Sequence, residues 1–176
     1  RIKLALETTS KFLRTIEDQT LKLMNQGKSL NQVLHEVEIP ENLMNHAWLT
    51  PIYDDPQFLI RMIWRRYGGW WDGEYDRLLP SPRKAEAIAW VELSGGIENI
   101  ISKALEQSNQ ENYEVAAHLI ETAFHADHSN EKTHEARSEI YRKFSLKQSS
   151  SMGRNILNHA SLASMKGLRD MAETEN

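Results

Sequence analysis

None of the 176 residues is a cysteine, so disulfides, thiolate nucleophiles and cysteine-held zinc are excluded together. No uninterrupted apolar run approaches the ~20 residues that span a bilayer. Basic excess is missing too: 21 Lys and Arg stand against 25 Asp and Glu, a net charge of −4. Nucleic-acid binding leans on clustered cations, so no nucleic-acid partner is expected. No Ser sits in a G-x-S-x-G turn, and no P-loop or dinucleotide fingerprint occurs. There is neither a signal peptide nor an initiator methionine, and Arg1-Ile2-Lys3-Leu4 already follows a helical pattern. Such a chain is expected to be a piece of a longer protein. Its 40% hydrophobic and 26% charged content is that of a soluble globular domain, with cytoplasm and periplasm equally open.

What the chain does have is one dense aromatic stretch, Arg65-Arg66-Tyr67-Gly68-Gly69-Trp70-Trp71-Asp72-Gly73-Glu74-Tyr75. It follows an apolar segment of helical spacing that includes Trp64. Gly68-Gly69 supplies positive φ where that helix should stop, and Asp72-Gly73 reads as a turn. Each indole buries on the order of 200 Å², so a Trp pair between glycine breaks is costly to leave in water. Either the pair plugs the core, or the loop presses on a second domain or subunit.

Elsewhere the pattern is helical throughout. Apolar residues from Leu4 to Met24 recur at helical spacing, with Gly27 placed as a C-terminal cap. Ser29 can cap a short helix carrying Leu30, Val33, Leu34 and Val37, ended by Pro40. Another short helix is expected near Leu43, and Asp55-Pro56 should start a helix running to about Tyr67. Ser81-Pro82 starts the next, with Ala85, Ile88, Ala89, Val91 and Leu93 inward and Gly95-Gly96 as its stop. Helices over residues 97–108, 113–126 and 131–144 have the helix–turn–helix spacing of tetratricopeptide hairpins. Tyr113, Ala117, Ala123, Phe124, Asp127, Ala136 and Tyr141 resemble that repeat's packing positions. A last helix covers about 153–172, with a frayed tail over 173–176. The expected fold is an all-α helical bundle with tetratricopeptide-like hairpins in its C-terminal half. Residues 1–95 form the N-terminal helices and Trp loop, and 96–176 the hairpins and terminal helix.

His118, His125, His128 and His134 cluster around Asp127, but a pair clamping a metal from one helix is normally four residues apart. His118 and His125 are seven apart, so packing or solvated histidines are the reading and no metal site is assigned. Asp18, flanked at four residues by Arg14 and Lys22, reads as surface pairing.

Three strings go further. Asp18-Gln19-Thr20-Leu21-Lys22-Leu23-Met24-Asn25-Gln26-Gly27, Tyr67-Gly68-Gly69-Trp70-Trp71-Asp72-Gly73 and Leu93-Ser94-Gly95-Gly96 resemble, in this order, motifs of the dimerisation domain of alkyl sulfatases in the metallo-β-lactamase superfamily. The resemblance covers essentially all of residues 1–176. It implies a homodimer-forming module of an enzyme that hydrolyses alkyl or aryl sulfate esters to an alcohol and sulfate. Two zinc ions would sit in an N-terminal catalytic domain upstream of Arg1, and a sterol-carrier-like domain often follows. The family's H-x-H-x-D-H zinc string is absent here, so the segment alone should hydrolyse nothing. Gly73-Glu74-Tyr75 departs from the G-N-P found in many members, so a different shape is expected for the loop after Asp72. By the resemblance, Tyr67 maps onto a tyrosine that points toward the sulfate; the alternative is a Tyr that caps the helix with its ring in the core. Trp64, Gly68, Gly69, Trp70, Trp71, Asp72 and Gly73 form the structural or interface motif. Two other readings stand beside this one: a tetratricopeptide-like peptide-binding adaptor, and a helical protein that binds metal through its histidine group.

Overall fold

Capping side chains or prolines open six of the described helices, and glycines close several of them. The 24-residue α1 (Ile2–Asn25) stops at Gly27, whose φ is 78°. Gly27 N–H donates to the Met24 carbonyl (2.9 Å) and Lys28 N–H to that of Leu23 (3.2 Å), the paired bonds of a Schellman ending. Ser29 and Gln32 exchange side-chain and backbone hydrogen bonds, a capping box that starts α2 (Leu30–Glu36). Val37 lies just past α2 as its C-cap, and Pro40 starts α3 (Glu41–Met44) rather than stopping α2. A 3₁₀ turn at Ala47–Leu49 follows. Asp55 then accepts the Gln57 N–H at 2.8 Å, and Pro56 opens α4 (Pro56–Gly68). The rest of the helices are α5 (Arg83–Leu93), α6 (Ile97–Asn109), α7 (Tyr113–Ala126), α8 (Glu131–Lys147) and α9 (Ser151–Met165). The computed structural model describes residues 1–166, and no strand occurs among them. The protein is all-α. The expected stretch of the last helix to 172 and its tail over 173–176 lie outside the described residues.

The helices form two compact units, Arg1–Pro80 and Ser81 onward. This division falls earlier than the Gly95-Gly96 break, because α5 packs on α7 and α6. In the first unit, Phe12 and Ile16 of α1 meet Val33, Leu34, Leu43, Leu49, Ile60 and Trp64. Leu4, Leu6 and Leu13 of α1 stay exposed, outside the core's reach. Asp18 is exposed and makes no ion pair with Arg14 or Lys22 among the described residues. No described helix is long and apolar enough to cross a membrane.

In the second unit each helix packs on its successor from α6 to α9, with further contacts of α5 on α7 and α6 on α8. Alanines 104, 116 and 123 are fully buried between Ile100, Ile101, Ile120 and Ile140. Of the residues expected at packing positions, Tyr113, Ala123, Phe124, Ala136 and Tyr141 are buried, Ala117 is half-buried and Asp127 is exposed. Of the inward face expected for α5, Val91 packs half-buried against this core, whereas Ala85, Ile88, Ala89 and Leu93 do not turn inward. Only Ala87 of that helix is buried, while Ile88, Trp90 and Leu93 are exposed. Apolar residues encircle α5, and α7 takes just one narrow side of it.

One charged side chain sits inside this unit. Arg137 of α8 is 2% exposed. Its Nε donates to Glu121 Oε1 of α7 at 2.7 Å, and one terminal nitrogen donates to the Ala160 carbonyl (3.1 Å) and Ser164 Oγ (2.8 Å) of α9. The guanidinium also stacks 4.2 Å from the Phe124 ring centre and 5.1 Å from that of Tyr141. Three helices therefore converge on one planar cation. Arg137→Ala leaves the Glu121 carboxylate facing a void and should cost about 3 kcal/mol in urea unfolding. Arg137→Lys should recover only part of that, since an ammonium lacks the rigid fork; a wild-type unfolding curve for Arg137→Ala would overturn this account.

Candidate functional site

The site is built at the C-terminal end of α4. Gly69, with φ 83°, stops the helix, as expected. Gly68 does something different from the expected positive φ: it is the last helical residue, and a Cβ there would lie 2.9 Å from Met24 Cε of α1 and 3.5 Å from the Trp64 indole. A side chain there would ask only that the flexible end of Met24 shift, since the Trp64 contact is at ordinary van der Waals distance.

Beyond Gly69 the chain folds back. Trp64 is buried, and its indole N–H donates to the Trp71 carbonyl at 2.9 Å. The half-buried Trp71 donates its own indole N–H to the Glu74 carbonyl at 3.0 Å. Asp72 Oδ1 accepts the Glu74 N–H (3.0 Å), which closes the expected turn, and Asp72 Oδ2 lies 3.6 Å from Arg77. The Asp72 carbonyl accepts the Leu30 N–H (2.8 Å), tying the loop to the start of α2. Gly73, at φ 87°, passes so near that a Cβ would sit 3.1 Å from Ser29 Cα. The chain after Asp72, where Gly73-Glu74-Tyr75 departs from G-N-P, makes a 3₁₀ turn at Tyr75–Arg77.

The two adjacent tryptophans meet opposite fates. Trp71 seals the loop, whereas Trp70 is 80% exposed and joins Tyr75 and Leu79 on the surface.

Tyr67 does not bury its ring in the core; it is half-exposed. Its hydroxyl donates to Glu17 Oε1 of α1 at 3.1 Å, and the Arg66 guanidinium lies 5.7 Å from its ring centre. Beside them runs a groove of about 550 Å³ between α1 and α4, lined by Leu13, Ile16, Leu59, Met62 and Ile63 and rimmed by Glu17, Arg65, Arg66 and Tyr67. Sequence reasoning found Tyr67 and missed Glu17, which lies fifty positions away in the chain.

The histidine group packs instead of converging. His125, His128 and His134 set their rings against Phe124, with centroids 5.6, 4.5 and 5.6 Å away. His134 Nε2 donates to the His128 carbonyl at 2.9 Å. Asp127 accepts the hydroxyl (2.6 Å) and N–H (2.9 Å) of Ser129, which hold its carboxyl below the usual carboxylate range. Among the described residues, no three His, Asp or Glu side chains are placed to hold a metal ion.

A family profile described as alkyl sulfatase dimerisation matches residues 29–167. The chain belongs to this family. Over 144 residues it is 24% identical to a linear primary-alkylsulfatase of Pseudomonas, covering 81% of this chain and 27% of that protein. It is likewise 24% identical over 155 residues to the alkyl/aryl-sulfatase BDS1 of Saccharomyces cerevisiae, covering 88% of this chain and 24% of that one. Its fold matches a double mutant of the sec-alkyl sulfatase PisA1 with a TM-score of 0.86 at 21% identity, over 94% of this chain and 26% of that structure. This alkyl sulfatase dimerisation chain thus spans about a quarter of the length of the relatives it matches.

The loop geometry yields a direct check. Gly73→Ala forces a methyl against Ser29 at a φ that L residues avoid, and should lower stability by about 2 kcal/mol. Thermal unfolding at the wild-type midpoint would show that the loop does not depend on this contact.

Proposed function

We propose that the chain is the dimerisation and scaffold module of a sulfatase that hydrolyses alkyl or aryl sulfate esters to an alcohol and sulfate. The observation that carries the reading is the family match over residues 29–167, joined to relatives named as alkyl sulfatases that are about four times longer. A binuclear zinc site in a metallo-β-lactamase-like domain outside this chain would lower the pKa of a bound water and polarise the ester oxygens. The described residues offer no cage for those ions. This chain's partners are then its own catalytic domain and a second copy of itself.

The surface supports a docking role in each unit. Trp70, Tyr75 and Leu79 are 80%, 85% and 89% exposed in the first, and Trp90 and Leu93 of α5 are 53% and 76% exposed in the second. Aromatic and aliphatic side chains this exposed are candidates for burial against a partner. The helices after α5 are read as tetratricopeptide-like hairpins, supported by their neighbour-on-neighbour packing and buried alanines. They act as scaffold: α6–α7 and α8–α9 make two hairpins among the described residues, short of the three or more repeats that an adaptor array needs.

Tyr67 is the residue of this chain assigned to substrate. The half-exposed Tyr67 side chain at a groove rim, beside two arginines, supports a role in which its hydroxyl exchanges Glu17 for a sulfate oxygen or the leaving alcohol. In the full-length enzyme Tyr67→Phe should slow turnover by about ten-fold or more, ~1.4 kcal/mol; an unchanged rate removes Tyr67 from the chemistry. Sedimentation of the full-length protein should give a dimer, with an interface of roughly 2,000 Å² or more. Trp70→Ala should weaken that dimer while changing the stability of the single chain by less than ~0.5 kcal/mol. A strict monomer at high micromolar concentration would overturn the dimer assignment.

A further inference from the structure

A tyrosine hydroxyl has one proton to give. In this chain it is already engaged, because the Tyr67 hydroxyl donates to Glu17 Oε1 at 3.1 Å. The side chain assigned to substrate is therefore occupied by one of the chain's own carboxylates. Among the described residues that line the groove between α1 and α4, Glu17 alone is acidic. It comes from α1, whereas Arg65, Arg66 and Tyr67 come from α4.

The neighbouring charges make this pairing informative. Arg65 and Arg66 are exposed and have no ion pair among the described residues, yet Glu17 takes the neutral phenol. A second anion approaching Tyr67 meets a carboxylate 3.1 Å from the atom it would bind. Two negative charges at such a distance repel, and half-burial of Glu17 limits how far solvent ions screen them. Anion binding at this hydroxyl thus requires Glu17 to leave. Arg14 can receive it: the arginine lies three positions back on α1, a spacing at which helix side chains meet, and is exposed without an ion pair among the described residues.

We propose that Glu17 is a resident competitor for the negative head of the substrate. In the empty chain its carboxylate holds the Tyr67 hydroxyl. On binding, the carboxylate moves toward Arg14 and the hydroxyl passes to a sulfate oxygen. Glu17 thereby sets how tightly the site holds a sulfate-like oxyanion, ester and product alike, and opposes retention of product sulfate. The assignment rests on the reading of Tyr67 as a residue that meets substrate. A Glu17 that only positioned Tyr67 would act with the opposite sign, since its loss would weaken binding.

The test uses the full-length protein, with decyl sulfate below its micellar concentration as substrate and inorganic sulfate as product. Glu17→Gln keeps the length and the acceptor oxygen without the charge, and Glu17→Ala removes all three. Each should lower KM for decyl sulfate and tighten inorganic sulfate in calorimetry by about three-fold, the size expected for one partly exposed charge. The change should fall on KM more than on kcat, with the circular dichroism spectrum of the wild type. In a Tyr67→Phe background the same substitutions should lose this gain, because the contested hydroxyl is gone. A raised KM or weaker sulfate in either Glu17 variant, wild-type values in both, or an undiminished gain beside Tyr67→Phe would overturn the proposal. If Tyr67→Phe alone leaves turnover, KM and sulfate binding unaltered, the reading of Tyr67 fails and the Glu17 assignment goes with it. A protein that releases no sulfate from decyl sulfate, yet binds inorganic sulfate more tightly without Glu17, would count against the sulfatase reading and leave the Glu17 assignment standing.

Discussion

The indole N–H of Trp64 and the carbonyl of Trp71 hold the first unit in its form. A helix that ends in two glycines has no local reason to turn back on itself. The hydrogen bond from the last buried ring of α4 supplies one, at 2.9 Å. Once the loop is folded back, the Asp72 carbonyl meets the Leu30 N–H, Gly73 lies against Ser29, and the start of α2 is fixed to the end of α4. Tyr67 is thereby held at the edge of α1, where Glu17 can reach it. The candidate site is a by-product of how this helix is terminated.

The second unit solves a different problem. Its helices bury alanines, isoleucines and a few aromatic rings, and such apolar contacts carry little direction to specify which helix meets which. Arg137 adds direction: one guanidinium donates to α7 and α9 from α8 while two aromatic rings flank it. Burying such a group is costly unless its donors are used, and here they are. The arrangement penalises any alternative pairing of those helices.

Local signals carried most of the legible information. Ser29 with Gln32, Asp55 with Pro56, Gly27 and Asp72-Gly73 act over one to four residues, and each appears where its chemistry predicts. Selection among faces was not legible. On α5 the apolar residues lie all round, so periodicity alone could not single out Ala87 as the buried one. Trp70 and Trp71 are neighbours of identical type, and only the return path of the loop decides that one is enclosed and the other is not. Arg137 reads in the sequence as one more cation on a charged helix. The Tyr67–Glu17 contact joins two helices through their packing and leaves no trace at short range. Family membership came from whole strings rather than from any of these physical cues.

The five indoles fall into two optical populations. Trp64 and Trp71 are shielded and hydrogen-bonded to backbone carbonyls, whereas Trp48, Trp70 and Trp90 face water to 48%, 80% and 53%. Quenching by a dissolved ion such as iodide therefore samples the outer set first. Emission moving to shorter wavelength without any change in helix content would signal that those outer rings have been covered, whereas emission moving to longer wavelength would mean that the clasp between α4 and its loop has opened.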